Sequence, residues 1–437
     1  METIFAPATA RGVGGVAVVR ISGDRASAAL KVLSGEEMGP PRLAGLRTLR
    51  DPASGEVLDE ALVLGFRAPH SFTGEDVVEL HLHGGLAVVD SVVEGLGRIE
   101  GLRPAEPGEF SRRAVENGKF DLSAAEGIAD LIEAETGAQR RQALRQMGGA
   151  FGLLCDGWRE ALVKALAYVE AEIDFADEDI PEDLSRTVGP GLTAVEGEIA
   201  RFLADRRGEK IRDGIFVAVV GPPNAGKSSL VNTLARRDAV IVSEEAGTTR
   251  DVVEVRLVLG GLPVTVCDTA GLREAEGAIE REGIKRARQA AEDADLRIWM
   301  AGVDQGRDFG GGVQPWDLCV VNKIDLAAGE EVPEGWLGLS LSEGKGVVAL
   351  ETELSRRIEE LYGETEAPTL TRARHRRELT VCLEALQAAL SLLAGDGETA
   401  LVAEEIRRAV RALGRITGRV DVEELLDVVF RDFCIGK

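Results

Sequence analysis

At about 100 to 200 residues per domain, a chain of 437 residues implies two to four domains. Its composition, 44% hydrophobic and 29% charged, is that of a folded globular protein and excludes wholesale disorder. A formal charge of -24, from 51 Lys+Arg against 75 Asp+Glu, excludes a generic phosphate-backbone binder, which needs positive charge.

The opening residues METIFAPATARG carry no basic stretch followed by an apolar one, so no secretory signal is expected. No apolar run reaches the ~18 residues of a membrane span. Up to about residue 120, short apolar runs alternate with Gly/Pro turns. Gly15–Ile21 and Glu60–Phe66 read as strands. Val77–His83 alternates with period two, as a half-buried strand does. A helix is expected from Leu86. From 121 the texture turns helical, with helices expected over 123–147, 152–172 and 187–207. Ser123 and Glu126 have capping-box spacing. A buried strand is expected from residue 211, opening an α/β pattern that runs to about 362. Helices then resume over 370–394, 399–413 and 421–431, the last with Asp421 as N-cap. A helical domain interrupted by an α/β domain accounts for this order; two independent helical bundles are the alternative.

Gly221-Pro-Pro-Asn-Ala-Gly-Lys-Ser228 is a full GxxxxGK[ST] between a strand and a helix, the context that a phosphate-binding loop requires. The loop's N–H groups, over Asn224, Ala225, Gly226, Lys227, Ser228 and Ser229, face the phosphates. Lys227 reaches the β/γ oxygens, and Ser228 ligates Mg²⁺. Asp268, ending a strand in Asp-Thr-Ala-Gly271, suits the outer Mg²⁺ shell, and Gly271 offers its N–H to the γ-phosphate. Alone, Asp268 could equally be an acidic strand end. Asn322-Lys323-Ile324-Asp325 supplies the base reader. The Asp325 carboxylate can accept from guanine N1–H and the 2-amino group together, donors that adenine lacks. Asn322 would tie this loop to the phosphate loop. Ser340 fits the segment packing on the base, where Leu341 replaces the usual alanine. Together these motifs specify GTP. Thr249 is the switch residue expected to reach Mg²⁺ only when a γ-phosphate is present. Leu272 follows Gly271 where small GTPases carry a water-orienting glutamine nearby, and Glu280 is a candidate replacement. A solvated helix residue is the other reading of Glu280.

The five cysteines form no CxxC, which argues against a zinc knuckle and a disulfide framework. Cys434 is the fourth residue from the end, but Gly436 and Lys437 do not fit a prenylation box. It is either a thiol activated by Lys437 or a buried hydrophobe-like cysteine. Glu79, His81 and His83 share one strand face, a spacing that allows metal ligation but fits a polar pocket or a solvated face better.

These residues carry a specific likeness. The chain resembles the MnmE (TrmE) family of bacterial and organellar tRNA uridine-modification GTPases over essentially its whole length. The likeness rests on Arg20-Ile-Ser-Gly23, Glu79-Leu-His-Leu-His-Gly-Gly85 and the Pro107–Leu122 segment with Asn117-Gly-Lys119. It also rests on Ala246–Asp251, Asp268–Glu274 and Phe433–Lys437. It implies a multidomain α/β and α protein: an α+β tetrahydrofolate-binding and dimerisation domain (1–120), a discontinuous helical domain (121–210 and 366–437) and an inserted Ras-like α/β G domain (211–365). It further implies K⁺ held by Asn224, Ser243, Glu245 and Thr248, with Thr248 and Thr249 also meeting GTP. The water-orienting glutamate falls on Glu280, and Cys434 counts among the catalytic candidates. Folate contacts fall on Arg20, Glu79 and Lys119. The cofactors implied are GTP, Mg²⁺, K⁺ and 5,10-methylenetetrahydrofolate, with 5-formyltetrahydrofolate as analogue. The partners implied are a second copy of the chain, tRNA, and the flavoprotein MnmG (GidA) carrying FAD and NADH, in a cytoplasmic heterotetramer or larger complex. Departures are Leu341 and Asp432. A regulatory GTPase without a modification role, or a folate enzyme with a vestigial G domain, are the other readings. The net charge then leaves room for a local basic surface: Arg140, Arg141, Arg145, Arg372–Arg377, Arg407, Arg408, Arg411, Arg415 and Arg419 all fall in the helical segments.

Overall fold

The computed structural model describes residues 2–174, 187–237, 254–268, 289–306, 313–326, 332–363, 365–395, 397–420, 422–431, 433 and 436. The chain forms two compact units. One holds Met1–Ala129, Gln146–Leu192 and Glu384–Lys437; the other holds Asp130–Arg145 and Thr193–Leu383. None of the described helices is long and apolar enough to cross a membrane.

The first unit is built on a six-stranded sheet. Its strands are β1 (Thr3–Pro7), β2 (Val16–Ser22), β3 (Gly45–Arg50), β4 (Val57–Phe66), β5 (Val77–His83) and β6 (Leu102–Pro104), in the order β3-β4-β5-β2-β1-β6. All pair antiparallel except β1 with β6. Alternation puts Val19 and Ile21 of β2 and Val78, Leu80 and Leu82 of β5 on the buried face. There they meet Leu30 and Leu33 of α1 (Ala26–Ser34) and Val92 and Leu96 of α2 (Leu86–Gly97). The opposite face receives Arg20 and Glu79, which the register sets directly across from each other.

After α3 (Glu109–Glu116), the expected helix over 123–147 is two helices, α4 (Leu122–Glu133) and α5 (Gly137–Met147). Thr136 and Gln139 make the break. Gln139 N–H donates to Thr136 Oγ1 at 3.2 Å, and Gln139 Oε1 accepts from Thr136 N–H at 3.0 Å. That is a reciprocal start for a new helix. At the head of α4 the cap is Asp121, not Ser123: Asp121 Oδ1 accepts from Ala124 N–H at 2.8 Å and from Ser123 Oγ at 2.7 Å. Helix α6 (Ala150–Asp174) follows in the first unit. Two of its glycines separate packing from propensity. A Cβ on Gly152 would lie 1.9 Å from Asp121 Oδ2, whereas Gly157 has nothing within 4 Å. Gly157→Ala should therefore raise unfolding stability by about 0.5–1 kcal/mol. Gly152→Ala should lower it by about 1–3 kcal/mol, because it displaces the α4 cap. Urea melts of the two variants check this; equal effects would refute it.

The other helices are α7 (Gly189–Ala204), α8 (Arg207–Asp213), α9 (Lys227–Arg237), α10 (Val347–Tyr362), α11 (Ala373–Ala394), α12 (Thr399–Thr417) and α13 (Val422–Arg431). The strand expected from 211 starts later. Residues Arg207–Asp213 are helical, Gly214 at φ 96 ends the turn, and β7 (Ile215–Val220) begins. Asp421 lies outside the described residues. In the first unit, Leu426, Phe430 and Phe433 pack on Leu122 and Ala125, which sets α13 and the tail residue beside α4.

The second unit carries the other six-stranded sheet, in the order β12-β11-β10-β7-β9-β8. Its strands are β7, β8 (Glu254–Leu259), β9 (Leu262–Asp268), β10 (Leu296–Gly302), β11 (Leu318–Asn322) and β12 (Leu337–Gly338). Only β8 runs antiparallel. Val217 and Val219 of β7 are fully buried together with Val266, Ile298 and Val320 of neighbouring strands. That is why Phe216–Val220 reads as an unbroken apolar run. Strand order reverses at β7, between β9 and β10. In an open α/β sheet the ligand crevice lies outside the carboxyl ends of the strands at such a point.

Candidate functional site

The loop from β7 to α9 occupies that switch point. Its tight path depends on residues without side-chain bulk. A Cβ on Gly221 would lie 1.9 Å from the Met300 carbonyl, and one on Gly226, at φ 103, would lie 2.3 Å from Asn322 Nδ2. Asn224 takes a left-handed φ of 62, which asparagine tolerates better than most residues. Lys227 is 4% exposed, and its Nζ donates to the carbonyls of Gly221 and Pro222, each at 2.9 Å. The ammonium therefore lies inside the loop that would wrap the phosphates. At the start of α9, Ser228 Oγ donates to Asp268 Oδ2. This brings together the two groups expected around Mg²⁺, and a hydroxyl that donates to a carboxylate keeps its lone pairs for a hard cation.

The base loop lies at the end of β11. Asn322 Nδ2 donates to the Ala225 carbonyl at 2.9 Å, and Asn322 Oδ1 accepts from Leu341 N–H at 3.4 Å. One buried amide thus joins phosphate loop, base loop and Leu339–Ser342. The Leu341 contact is made by its backbone, and its side chain packs against the sheet core, so the exchange for alanine leaves this link in place. Lys323 adopts φ 65 at the turn into Ile324–Leu326. Hydrogen bonds from Ser340 and Ser342, with Lys345 nearby, hold the Asp325 carboxyl below the usual carboxylate range. Gln305 is a contributor that sequence reasoning missed. Its Oε1 accepts from Gly302 N–H at 2.9 Å and its Nε2 donates to the Pro223 carbonyl at 2.7 Å, bracing the loop from the end of β10. No motif marks it.

In the first unit, Arg20 and Glu79 form an ion pair, with Arg20 Nη2 at 2.8 Å and Nε at 3.0 Å from Glu79 Oε1. The guanidinium lies 5.3 Å from the Phe72 ring centre and 5.7 Å from that of Phe110. Glu79 Oε2 is 3.6 Å from His81 Nε2, a buried nitrogen with no hydrogen-bond partner among the described residues. His83 is turned away to Asp59, with Nδ1 at 2.7 Å from Oδ1. Three residues on one strand face thus have three different environments, and no described group of His, Cys, Asp and Glu could hold a metal ion. Lys119 Nζ donates to the Pro69 carbonyl at 2.7 Å, apart from the Arg20–Glu79 pair.

A family model described as "GTP-binding protein TrmE N-terminus" matches residues 3–119, and one described as "MnmE helical domain" matches residues 122–434. The chain belongs to the MnmE family. It is 58% identical to the tRNA modification GTPase MnmE of Parvibaculum lavamentivorans, over 100% of both chains. It is 52% identical to the proteins of that name from Rhodospirillum rubrum and Paramagnetospirillum magneticum, again over the full length of each.

Several residues expected to act in an MnmE-family protein lie outside the described residues: Ser243, Glu245, Thr248, Thr249, Gly271, Glu280 and Cys434. Gly436 is described. It adopts φ 94, and a Cβ there would lie 2.1 Å from the Pro7 carbonyl, at the end of the strand next to β2. The four described cysteines are free, and burial pushes the thiols of Cys267 and Cys382 up to about 11 and about 12.

Many arginines of the expected basic surface have acidic neighbours. Arg407 pairs with Glu170 and Glu404, Arg419 with Asp156, Arg376 with Glu209 and Arg372 with Asp130. Arg408 lies 3.4 Å from Glu405, and Arg411 lies 3.7 Å from Glu404. Arg141, Arg374 and Arg415 are engaged as well. These acidic neighbours come partly from the same helix, as Glu404 and Glu405 do, and partly from distant segments, as Glu170, Asp156, Glu209 and Asp130 do.

Proposed function

We propose that this chain is a potassium-stimulated GTP hydrolase that acts, with an FAD-dependent partner, on C5 of the wobble uridine of tRNA. The observation that carries this is full-length 58% identity to a tRNA modification GTPase, in a chain whose phosphate loop, Asp268 and base loop are all in place. Lys227 and the loop N–H groups bind and orient the phosphates, and Asp325 selects guanine. Ser228, with Asp268 behind it, would hold Mg²⁺, which would neutralise phosphate charge. Thr249 joins the Mg²⁺ site and Glu280 orients the attacking water. Asn224, Ser243, Glu245 and Thr248 would hold K⁺, which would supply the positive charge that an arginine finger gives elsewhere. Lys323 and Ser340 complete the base site.

The Arg20–Glu79 face suits a folate. Glu79 and the His81 nitrogen, without a hydrogen-bond partner among the described residues, offer polar groups to a pterin edge, and Phe72 offers an apolar wall. Lys119 is the cation for the glutamate tail. The folate supplies a one-carbon unit for an aminomethyl or carboxymethylaminomethyl product. Cys434 counts among the catalytic groups. The working form is a cytoplasmic homodimer joined to the flavoprotein. GTP hydrolysis drives a conformational cycle, not the carbon chemistry.

Two measurements test this. Wobble uridines from cells lacking the chain, read by mass spectrometry, should be unmodified at C5; full modification would refute the tRNA role. Exchanging K⁺ for Na⁺ at constant ionic strength should slow GTP hydrolysis at least about tenfold, as loss of one preorganised charge does. Equal rates would remove K⁺ from the mechanism while leaving the tRNA role open to the first test.

A further inference from the structure

Two side-chain amides reach the phosphate loop from different strands. Asn322, at the end of β11, donates to the Ala225 carbonyl at 2.9 Å. Gln305, just past β10, donates through Nε2 to the Pro223 carbonyl at 2.7 Å. The two carbonyls stand on either side of Asn224 in the chain. A trans peptide is planar, with its C=O and N–H pointing in opposite directions. Holding the Pro223 carbonyl therefore aims the Asn224 N–H away from Gln305. Holding the Ala225 carbonyl likewise aims the Gly226 N–H away from Asn322. Neither N–H has a hydrogen-bond partner among the described residues. Backbone N–H groups presented in this way, just before a helix, are what binds a phosphate. The carbonyls of Gly221 and Pro222 go instead to Lys227 Nζ.

Local sequence does not fix the plane between Pro223 and Asn224. The proline ring sets φ of Pro223 but leaves its ψ free. Asn224 stands at φ 62, a conformation that costs a residue other than glycine energy. Rotating the plane changes both angles together and would return Asn224 to an ordinary negative φ. Its native orientation therefore depends on a bond from outside the loop, and Gln305 makes that bond. Gln305 is itself held in place. Its Oε1 accepts from Gly302 N–H at 2.9 Å, and its own N–H donates to the Gly302 carbonyl at 3.0 Å. One partner of the amide is a donor and the other an acceptor, which fixes its orientation. A Cβ on Gly302 would lie 2.6 Å from Asp304 Oδ1 and 3.3 Å from Gln305 Oε1, so the glycine leaves room for this turn. Val303 N–H donates to the Asn322 carbonyl at 3.0 Å, which ties the Gln305 turn to the segment that carries the second amide.

We propose that Gln305 is a positioning residue for phosphate binding: by fixing the Pro223–Asn224 peptide plane, it keeps the Asn224 N–H aimed at the phosphates of the nucleotide. It acts through the loop backbone, and the proposal rests on the GTPase reading above. Two variants of the full-length protein test it. Gln305→Met removes both ends of the amide. Gln305→Glu keeps an oxygen for Gly302 N–H and loses the donor to Pro223. GDP affinity is read by calorimetric titration, kcat/KM by GTP hydrolysis and stability by urea unfolding. Both variants should lose about three- to tenfold in GDP affinity and in kcat/KM, the factor that one hydrogen bond of ordinary net strength carries. Gln305→Glu should keep the wild-type unfolding midpoint, and its loss should persist when choline chloride screens the new charge. A residue that merely held the β10 turn would behave differently: Gln305→Glu would then bind GDP and turn over GTP like wild type in the screened buffer. That result overturns the proposal, as do wild-type values for Gln305→Met. If Gln305→Met does not fold, Gln305→Glu decides. A wild-type chain that binds GDP but does not hydrolyse GTP refutes the GTPase reading, and GDP affinity then decides on Gln305 by itself. A wild-type chain that does not bind GDP overturns both.

Discussion

Asp325→Asn is expected to move nucleotide preference from guanine to xanthine. A carboxylate accepts two hydrogen bonds at once, which suits guanine N1–H and its 2-amino group. An amide replaces one acceptor by an N–H donor, which suits the 2-oxo group of xanthine. A site built to pair a particular polar edge rejects the wrong one by up to ~10⁴-fold, because groups on both sides are left unpaired. GTP affinity should therefore fall by roughly 10³-fold or more, and XTP affinity should rise toward the wild-type GTP value. The local charge supports a discrimination of this size. Ser340, Ser342 and Lys345 hold the Asp325 carboxyl below its ordinary pKa, so it is ionised at neutral pH and its acceptor character is lost only on strong acidification. A competition assay with GTP, XTP and ATP reads the result. If the variant still prefers GTP over XTP, Asp325 is not the base reader.

How much of this site could be read from sequence depended on the range of the interaction. The phosphate loop is local, and its glycines, lysine and serine declare themselves within eight residues. Asp268 and Asn322 could be assigned because each ends an apolar strand, and parallel strands flanking a switch point bring their carboxyl ends together. Gln305 could not, since its contacts with Gly302 and Pro223 depend on how β10 meets the phosphate loop. The arginine pairings were hidden for a similar reason. Arg407 finds Glu170 across 237 positions, a partner that a run of positive charge in sequence does not reveal. Arg20 and Glu79 were each assigned to a ligand, but the β2–β5 register places them opposite and they meet each other first. The break between α4 and α5 was legible and overlooked. Thr136-Gly-Ala-Gln139 has capping-box spacing, inside a stretch whose apolar period suggested one helix. A start signal within a periodic run outweighs the period, because each unpaired N–H at a helix end needs a partner.

Gly226→Ala is expected to disconnect the phosphate loop from the base loop. Gly226 sits at φ 103, where a side chain is strained, and its Cβ would lie 2.3 Å from Asn322 Nδ2. That nitrogen is the donor holding the Ala225 carbonyl, while the other end of the same amide accepts from Leu341 N–H. Either the loop shifts away from Asn322 or Asn322 turns out of place. Both routes misplace the loop's N–H groups and Asp325 relative to one another. GTP and GDP affinity should fall at least about 100-fold, near 2.7 kcal/mol, and unfolding stability by about 2–4 kcal/mol. A double-mutant cycle separates this account from simple unfolding. Asn322→Ala removes the amide that the new methyl group would strike, so it should relieve the clash while losing the tie. The two substitutions together should then cost clearly less than the sum of their separate effects, as coupled neighbours do. Strictly additive losses would mean that the Gly226 effect is backbone strain alone and that Asn322 plays no part in it.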